Sequence, residues 1–212
     1  MEYKNYITSF CAIRNGNVNV NHSITFSDQE SASADFLKAV YKHYQMNYPK
    51  FYKMDNLSKL AFITSELLIK NNPVSERFPA GDIAIVVANS ASSLEIDTEH
   101  QKTISDRENY FPSPAVFVYT LPNILIGEIA IRNGIKGENT FFIFDKFDPE
   151  FMSSYINSLL NSGKAQCCIT GWVDFYEGKY ESALYMVERA AGTLSIEHTK
   201  DKLEELISKH LN

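Results

Sequence analysis

Asp82 to Asn89, DIAIVVAN, is the stretch that most restricts the fold. Its Ile, Val and Ala residues follow one another without polar alternation, so both faces of the strand they form must be covered. Such a strand belongs inside a parallel sheet with helices above and below. Thr140 to Phe144 (TFFIF) is a second apolar strand of the same type. Three more β-rich runs join them: Tyr6 to Ile13, closed by the turn signal Asn15-Gly16; Ala165 to Trp172; and Ser182 to Arg189.

Helical patterns fill most of the intervals. Ala34 to Gln45 repeats apolar residues at Phe36, Leu37, Val40, Tyr41 and Tyr44. Asp55 to Lys70 places Leu57, Leu60, Ala61, Thr64, Leu67 and Leu68 on one face, with Asp55 or Asn56 as cap and Asn71-Asn72-Pro73 as stop. Ser90 to Asp106 reads as a polar helix or ordered loop. Thr120 to Gly134 is helical, with Pro122 in its first turn and Gly134 as C-cap. Pro149 opens a helix carrying Phe151, Met152, Tyr155, Ile156, Leu159 and Leu160 and ending at Gly163. A last helix carries Leu203, Leu206, Ile207 and Leu211. Asn17 to Ser33 is a loop or a short hairpin.

Strands separated by helices imply right-handed crossovers. The expected fold is therefore α/β, with a mainly parallel five-stranded sheet covered by helices on both faces. The short Glu177-Gly178-Lys179 link permits one antiparallel strand at an edge. No linker or repeat divides residues 1–212, so a single domain is expected.

A chain of 212 residues can bury about 70% of its unfolded surface. The net charge of −6 argues against a nucleic-acid or anionic-membrane binder, which needs clustered Lys and Arg. The N-terminus has no signal-peptide pattern and no stretch is long enough to span a bilayer, so a cytoplasmic protein is expected. The Asn-x-Ser triplets at Asn21 and Asn56 carry no meaning in that compartment. Cys167 and Cys168 are adjacent and, on a strand, point to opposite faces; with Cys11 they read as small buried residues, and no metal or cofactor is expected. Asp97-Thr98-Glu99-His100 reads as a solvated helix face, and Gly134-x-x-Gly137 follows a helix and so is no phosphate loop. Trp172 reads as core or interface.

The interval from Ser113 to Asn139 carries a resemblance. Ser113-Pro114, Phe117, Thr120-Leu121-Pro122-Asn123, Gly127-Glu128-Ile129-Ala130-Ile131 and Gly134-Ile135-Lys136-Gly137-Glu138-Asn139 together resemble the N-terminal domain of β-ketoacyl-acyl-carrier-protein synthases. Met54 to Ala61, Asp82 to Asn89, Ala165 to Asp174 and Ala183 to Arg189 are similar to further family segments in the same order. The resemblance implies a thiolase-like half, here with a closing C-terminal helix. The family's complete members have two such halves, and the length of this chain accommodates the first.

The same resemblance implies a cysteine nucleophile about nine residues after Gly137. Asp145-Lys146-Phe147 stands there instead. The five histidines (His22, His43, His100, His198, His210) match no family position. A thioester-forming condensation needs a thiolate, a base and an oxyanion hole, and none can be assembled. No catalytic residue is therefore assigned, and Asp145, Lys146, Ser90 and Cys168 remain as weaker candidates. Ser90 follows a strand as a nucleophile elbow would, but the GxSxG pattern is missing.

Chain-length factors resemble ketosynthases, lack the cysteine and pair with an active ketosynthase. That comparison implies a catalytically silent domain assisting acyl-chain elongation of fatty-acid, polyene-pigment or polyketide type. The alternative is a small thiolase-like acyl transferase or hydrolase acting as a homodimer. The implied partners are a second copy, a full-length ketosynthase or an acyl carrier protein. Thr140, Phe142, Phe144, Asn123 and Glu128 are the expected interface residues. Glu128 could also be a buried acid, though an interface carboxylate bonded to nearby backbone is the simpler expectation. A lone half would expose an apolar helix layer, which a second copy, a ketosynthase or the chain's own last helix must cover.

Overall fold

A computed structural model describes residues 4–70, 73–108, 110–190 and 194–211, with Leu211 described by backbone alone. The chain begins with β1 (Tyr6–Arg14), β2 (Asn17–Val20) and β3 (Ser23–Ser27), then α1 (Ser33–His43) and a 3₁₀ turn at Pro49–Lys53. Next come α2 (Asn56–Ile69), α3 (Val74–Arg77), β4 (Ile83–Asn89), α4 (Leu94–Ile104), α5 (Pro114–Val118) and α6 (Ile124–Asn133). The C-terminal part holds β5 (Asn139–Ile143), α7 (Pro149–Asn161), β6 (Cys167–Tyr176), β7 (Lys179–Glu188), β8 (Ile196–Glu197) and α8 (Lys200–Leu211). The Asn71-Asn72 stop and the Leu211 side chain lie outside the described residues. Among the described residues no helix is long and apolar enough to cross a membrane.

All five expected strands are present, within one eight-stranded sheet of order β3-β2-β1-β7-β6-β4-β5, with β8 also on β1. β6, β4 and β5 form the parallel block, and β1 runs in the same direction. β7 is antiparallel to both its neighbours. The one antiparallel strand among the five is thus inside the sheet, not at its edge. The reason is the first strand: β1 pairs with the free side of β7 from Tyr6↔Glu188 to Arg14↔Glu181. Its hairpin partners β2 and β3 then carry the edge outward, so Asn17 to Ser27 is the hairpin, not the loop, of the two possibilities.

Strand side chains alternate between two cores, as a period of two requires. Cys11, Ile13, Ile85, Val87, Cys167 and Ile169 face α1, α2 and α6. Phe10, Ala12, Ala84, Val86, Cys168 and Trp172 face α7 and α8. Cys167 and Cys168 indeed part to opposite faces.

α2 begins where Asp55 accepts a hydrogen bond from Ser58 N at 3.1 Å. It is buried almost all round, which a one-sided apolar stripe does not predict. α6 starts at Ile124, later than the Thr120 expected, because Leu121 O is used by Ile124 N in a turn. It stops at Gly134, whose φ of 66° costs glycine nothing. α7 is capped by Asp148, which accepts from Phe151 N at 2.9 Å.

The apolar layer expected to lie bare is covered. α8 packs Leu203, Leu206 and Ile207 against the second core beside α7. The exposed positions of α7 include Glu150, Ser154 and Ser158, all polar. Exposed large apolar side chains occur elsewhere, among them Leu94, Phe111, Phe117, Leu121, Ile131 and Ile143.

Candidate functional site

Parallel strands leave a crevice beyond their C-terminal ends where successive crossovers leave to opposite faces. Here β4 passes through α4, α5 and α6 on one face before β5, and β5 passes through α7 on the other before β6. The crevice beyond β4 and β5 receives the turn from Asp145 to Asp148, which the N-terminus of α7 closes. A cleft of about 430 Å³ lies there, lined by Ser90, Lys146, Phe147, Trp172, Glu181 and, from α8, Glu204 among others. A second hollow of about 630 Å³ adjoins it, along Phe144 to Glu150 and α8.

Register assembles a polar row across this end of the sheet. Arg14 of β1 stands opposite Glu181 of β7, which stands opposite Asp174 of β6. Ser90, just past β4, completes it by donating its hydroxyl to Asp174, whose other oxygen accepts from Ala91 N at 3.2 Å. Glu181 accepts from Trp172 Nε1 at 3.0 Å and faces Arg14 Nε at 3.6 Å. Burial raises the Glu181 carboxyl above its ordinary range, against the Trp172 hydrogen bond and the Arg14 charge, which lower it. Asp174 lies two residues past the strand expected at Ala165 to Trp172; β6 runs on to Tyr176, and alternation puts Asp174 on the face of Trp172. The contributions of Glu181 and Arg14 depend on strand order and register, which carry no local signal.

The position implied for a nucleophile holds exposed Asp145 and Lys146 and half-buried Phe147. Together the two hollows are lined by five carboxylates (Asp145, Asp148, Glu150, Glu181, Glu204) and two lysines (Lys146, Lys200). Lys200 is already paired with Glu150 at 2.9 Å. The crevice is therefore electronegative.

The weaker nucleophile candidates separate clearly. Cys168 is fully buried, and desolvation drives its thiol far from ionisation. No acyl group can reach it, which removes it as a nucleophile. Cys11 and Cys167 are equally buried. Ser90 is exposed, yet its partner is a carboxylate already engaged by a backbone amide, and among the described residues no histidine lines the cleft. His198 is buried against Asn157, with Nδ1 at 2.9 Å from Oδ1, while His22 and His210 lie by Phe10. Among the described residues no group of three His, Cys, Asp or Glu could hold a metal ion.

The expected interface residues fall in three places. Thr140 and Phe142 lie on β5, an edge strand paired among the described residues with β4 alone, and Phe144 follows it. Thr140 Oγ1 lies 3.3 Å from Tyr155 Oη, and the Phe142 ring packs on Phe144, Phe151 and Tyr155 at 5.7, 4.9 and 5.2 Å. Asn123 is exposed before α6. Glu128, in contrast, is a buried acid, 3% exposed. It is bonded to side chains and not to backbone: Lys50 Nζ lies 2.8 Å away and Tyr119 Oη donates at 3.1 Å. Burial first, then the neighbouring Glu128 charge, raises the Tyr119 hydroxyl pKa. Glu128 therefore presents no surface to a partner, because it is spent on fastening α6 to the Pro49–Lys53 turn.

No protein-family model matches the chain, and no curated protein matches it. Its fold is similar to that of solved ketosynthase structures. The ishigamide ketosynthase/chain length factor matches with a TM-score of 0.63 and 16% identity, over 88% of this chain and 62% of that one. A type II PKS acyl-carrier protein in complex with its ketosynthase bound to the hexaketide matches at 0.61 and 13%, over 88% and 62%. A ketosynthase in complex with its chain length factor from Xenorhabdus doucetiae matches at 0.55 and 14%, over 90% and 81%. The shared property at these identities is the thiolase-like α/β fold. The chain spans 62% of the length of the first two.

Proposed function

We propose that this chain is a non-condensing ketosynthase-like domain that assists acyl-chain elongation, of fatty-acid, polyene-pigment or polyketide type, as partner of an active ketosynthase or an acyl carrier protein. The observation that carries the reading is the crevice beyond β4 and β5, which keeps the strand-to-helix frame but holds Asp145-Lys146-Phe147 where a thiol is needed. Its excess of carboxylates also opposes a malonyl thioester, which brings a carboxylate of its own.

Pairing would use β5. Its outer edge offers unpaired backbone groups, and Ile143 is 55% exposed beside them. Thr140, Phe142 and Phe144 would shape this edge from the α7 side. Phe142 and Phe144 also pack on α7, so a charge there would disturb the fold as well as the interface. Ile143→Lys is the cleaner probe.

The test is condensation of malonyl- and acyl-carrier thioesters by the purified chain, a competent ketosynthase, and both together. We expect no product from the chain alone and an altered product length or rate from the mixture. Product from the chain alone would sink the silent reading. Ile143→Lys should remove both association and the altered outcome; unchanged association would move the interface away from β5.

A further inference from the structure

On the far side of Ser90 and Asp174 from the crevice lies an adjoining cleft of about 540 Å³, which shares Ser90 and Glu181 with it. Its size is ordinary for a small-molecule site. It opens between two hairpin turns, Asn15-Gly16 joining β1 to β2 and Glu177-Gly178 joining β6 to β7. All four turn residues have positive φ (48°, 71°, 51° and 75°), the geometry of tight primed turns whose twist matches the strands. The walls are therefore set by sheet register.

Four charged side chains line the cleft, and they divide by what already satisfies them. Asp174 accepts from Ser90 Oγ and Ala91 N, and Glu181 accepts from Trp172 Nε1 and faces Arg14 Nε. Both carboxylates thus have protein donors. The two cations are under-used. Arg14 has one ion-pair contact, at 3.6 Å and through Nε, and its terminal nitrogens make no hydrogen bond among the described residues. Lys179 has no ion pair among the described residues. Tyr176 lines the cleft beside them, whereas the Tyr180 ring is stacked between Phe36 and Phe175 at 5.4 and 6.1 Å and its Oη is occupied by Gly16 N at 3.0 Å. The spare donor capacity is a guanidinium fork and an ammonium next to one aromatic side chain, Tyr176. A guanidinium fork suits two-pronged binding of a carboxylate or phosphate.

We propose that this cleft binds a small planar ligand through a carboxylate or phosphate monoester held by Arg14 and Lys179. The site does not rest on the ketosynthase-like reading: Ser90 and Glu181 border both clefts, but Arg14 and Lys179 line neither hollow of the crevice, and no residue lining this cleft stands in the Asp145–Phe147 segment. Glu181 holds the fork in place through Arg14 Nε and is a positioning residue.

The experiment titrates the full chain with benzoate and with phenyl phosphate, using benzyl alcohol as the neutral probe, followed by backbone amide shifts. Saturable shifts of the Asn15-Gly16 and Glu177-Gly178 amides are expected with at least one anion. The anion that saturates first decides between carboxylate and phosphate. Arg14→Gln and Lys179→Gln should each weaken binding roughly tenfold, and Arg14→Lys by less, since charge remains and the fork is lost. Lys179 is exposed, so Lys179→Gln keeps the test valid if Arg14→Gln fails to fold. Binding of benzyl alcohol as tight as that of the anions, indifference to Lys179→Gln, or no saturable binding of either anion would overturn the proposal.

Discussion

The two faces of the sheet are built on different principles. On one face α2 buries eleven of its fourteen residues between the sheet and the helices α1 and α6. On the other, α8 buries only Leu203, Leu206 and Ile207, and its remaining described side chains are exposed or half-buried. The first face is sealed, and its stability is the stability of the fold. The second carries the crevice and is closed by a peripheral helix, which can open locally at less than the cost of unfolding.

Phe62→Ala should test the sealed face most severely. Its ring is fully buried in α2 and stacks on Tyr48 at 5.1 Å. A loss of about 3–5 kcal/mol is expected, read from denaturant curves with a single cooperative transition. A local effect confined to α2 would erase the distinction between the faces.

Acid should separate the faces next. On the open face, burial lowers the His198 pKa from 6.5 to about 4. The unfolded chain then binds the proton more readily, so this contribution is complete above pH 6.5 and is lost as pH falls toward about 4. Its full size is about 3 kcal/mol. His198 also joins α7 to β1, through Asn157 Nδ2 to its carbonyl at 3.1 Å and its own N–H to Asn5 O at 2.8 Å. On the sealed face, burial raises the Asp55 carboxyl, and that contribution has the opposite sign, growing as pH falls. Protection factors of the α8 amides, corrected for the intrinsic pH dependence of exchange, should therefore fall between pH 6.5 and 5 before those of α2 do. His198→Gln should flatten that dependence, and an equal fall in both helices would refute it.

How much of this is legible in the sequence follows the same division. Strands whose signal is local are readable: an unbroken apolar run marks β4, and alternation places Cys167 and Cys168 on opposite faces. The run at β5 marks a strand too, but one at the sheet edge with Ile143 exposed and not buried on both faces as expected. α2 is readable as a helix, with Thr64 on its apolar face, but not in its depth, because Ser58 and Ser65 look like a solvent side. In the fold Thr64 Oγ1 donates to Leu60 O at 2.8 Å and meets Ser182 Oγ at 2.6 Å, and Ser65 Oγ donates to Phe62 O at 2.9 Å. Hydroxyls that satisfy themselves on the helix backbone can be buried at little cost. The burial of Glu128 is hidden for a similar reason, since its partners Lys50 and Tyr119, distant along the chain or across a turn, reach only Oε1, and Oε2 has no hydrogen-bond partner among the described residues. The Arg14–Glu181–Asp174–Ser90 row is out of reach altogether. It exists because β1 crosses the hairpin to lie beside β7, a choice of topology that no single segment encodes.

Leu206→Ala should sharpen the comparison from the open side. Leu206 is 3% exposed, but the helix that carries it is peripheral. A loss of about 2 kcal/mol, at the low end for a buried leucine, is expected to fall on α8 first. Hydrogen exchange across residues 200–211 should rise while the global unfolding midpoint moves little. A full drop in that midpoint would mean that α8 belongs to the cooperative core.

The smallest expected effect bears on the crevice itself. Trp172→Phe keeps most of the ring but deletes the N–H that Glu181 accepts at 3.0 Å. That bond favours the ionised carboxylate, so its loss should raise the Glu181 pKa further and cost about 1 kcal/mol at neutral pH. Below the raised pKa, where Glu181 is protonated in both proteins, the difference should shrink. Stability of the two proteins measured at about pH 7 and again near about pH 4.5 separates this electrostatic loss from simple packing, because a packing defect costs the same at both. A pH-independent difference would show that Trp172 holds the crevice by volume alone, and that the polar row is a surface seam with no hold on the fold beneath it.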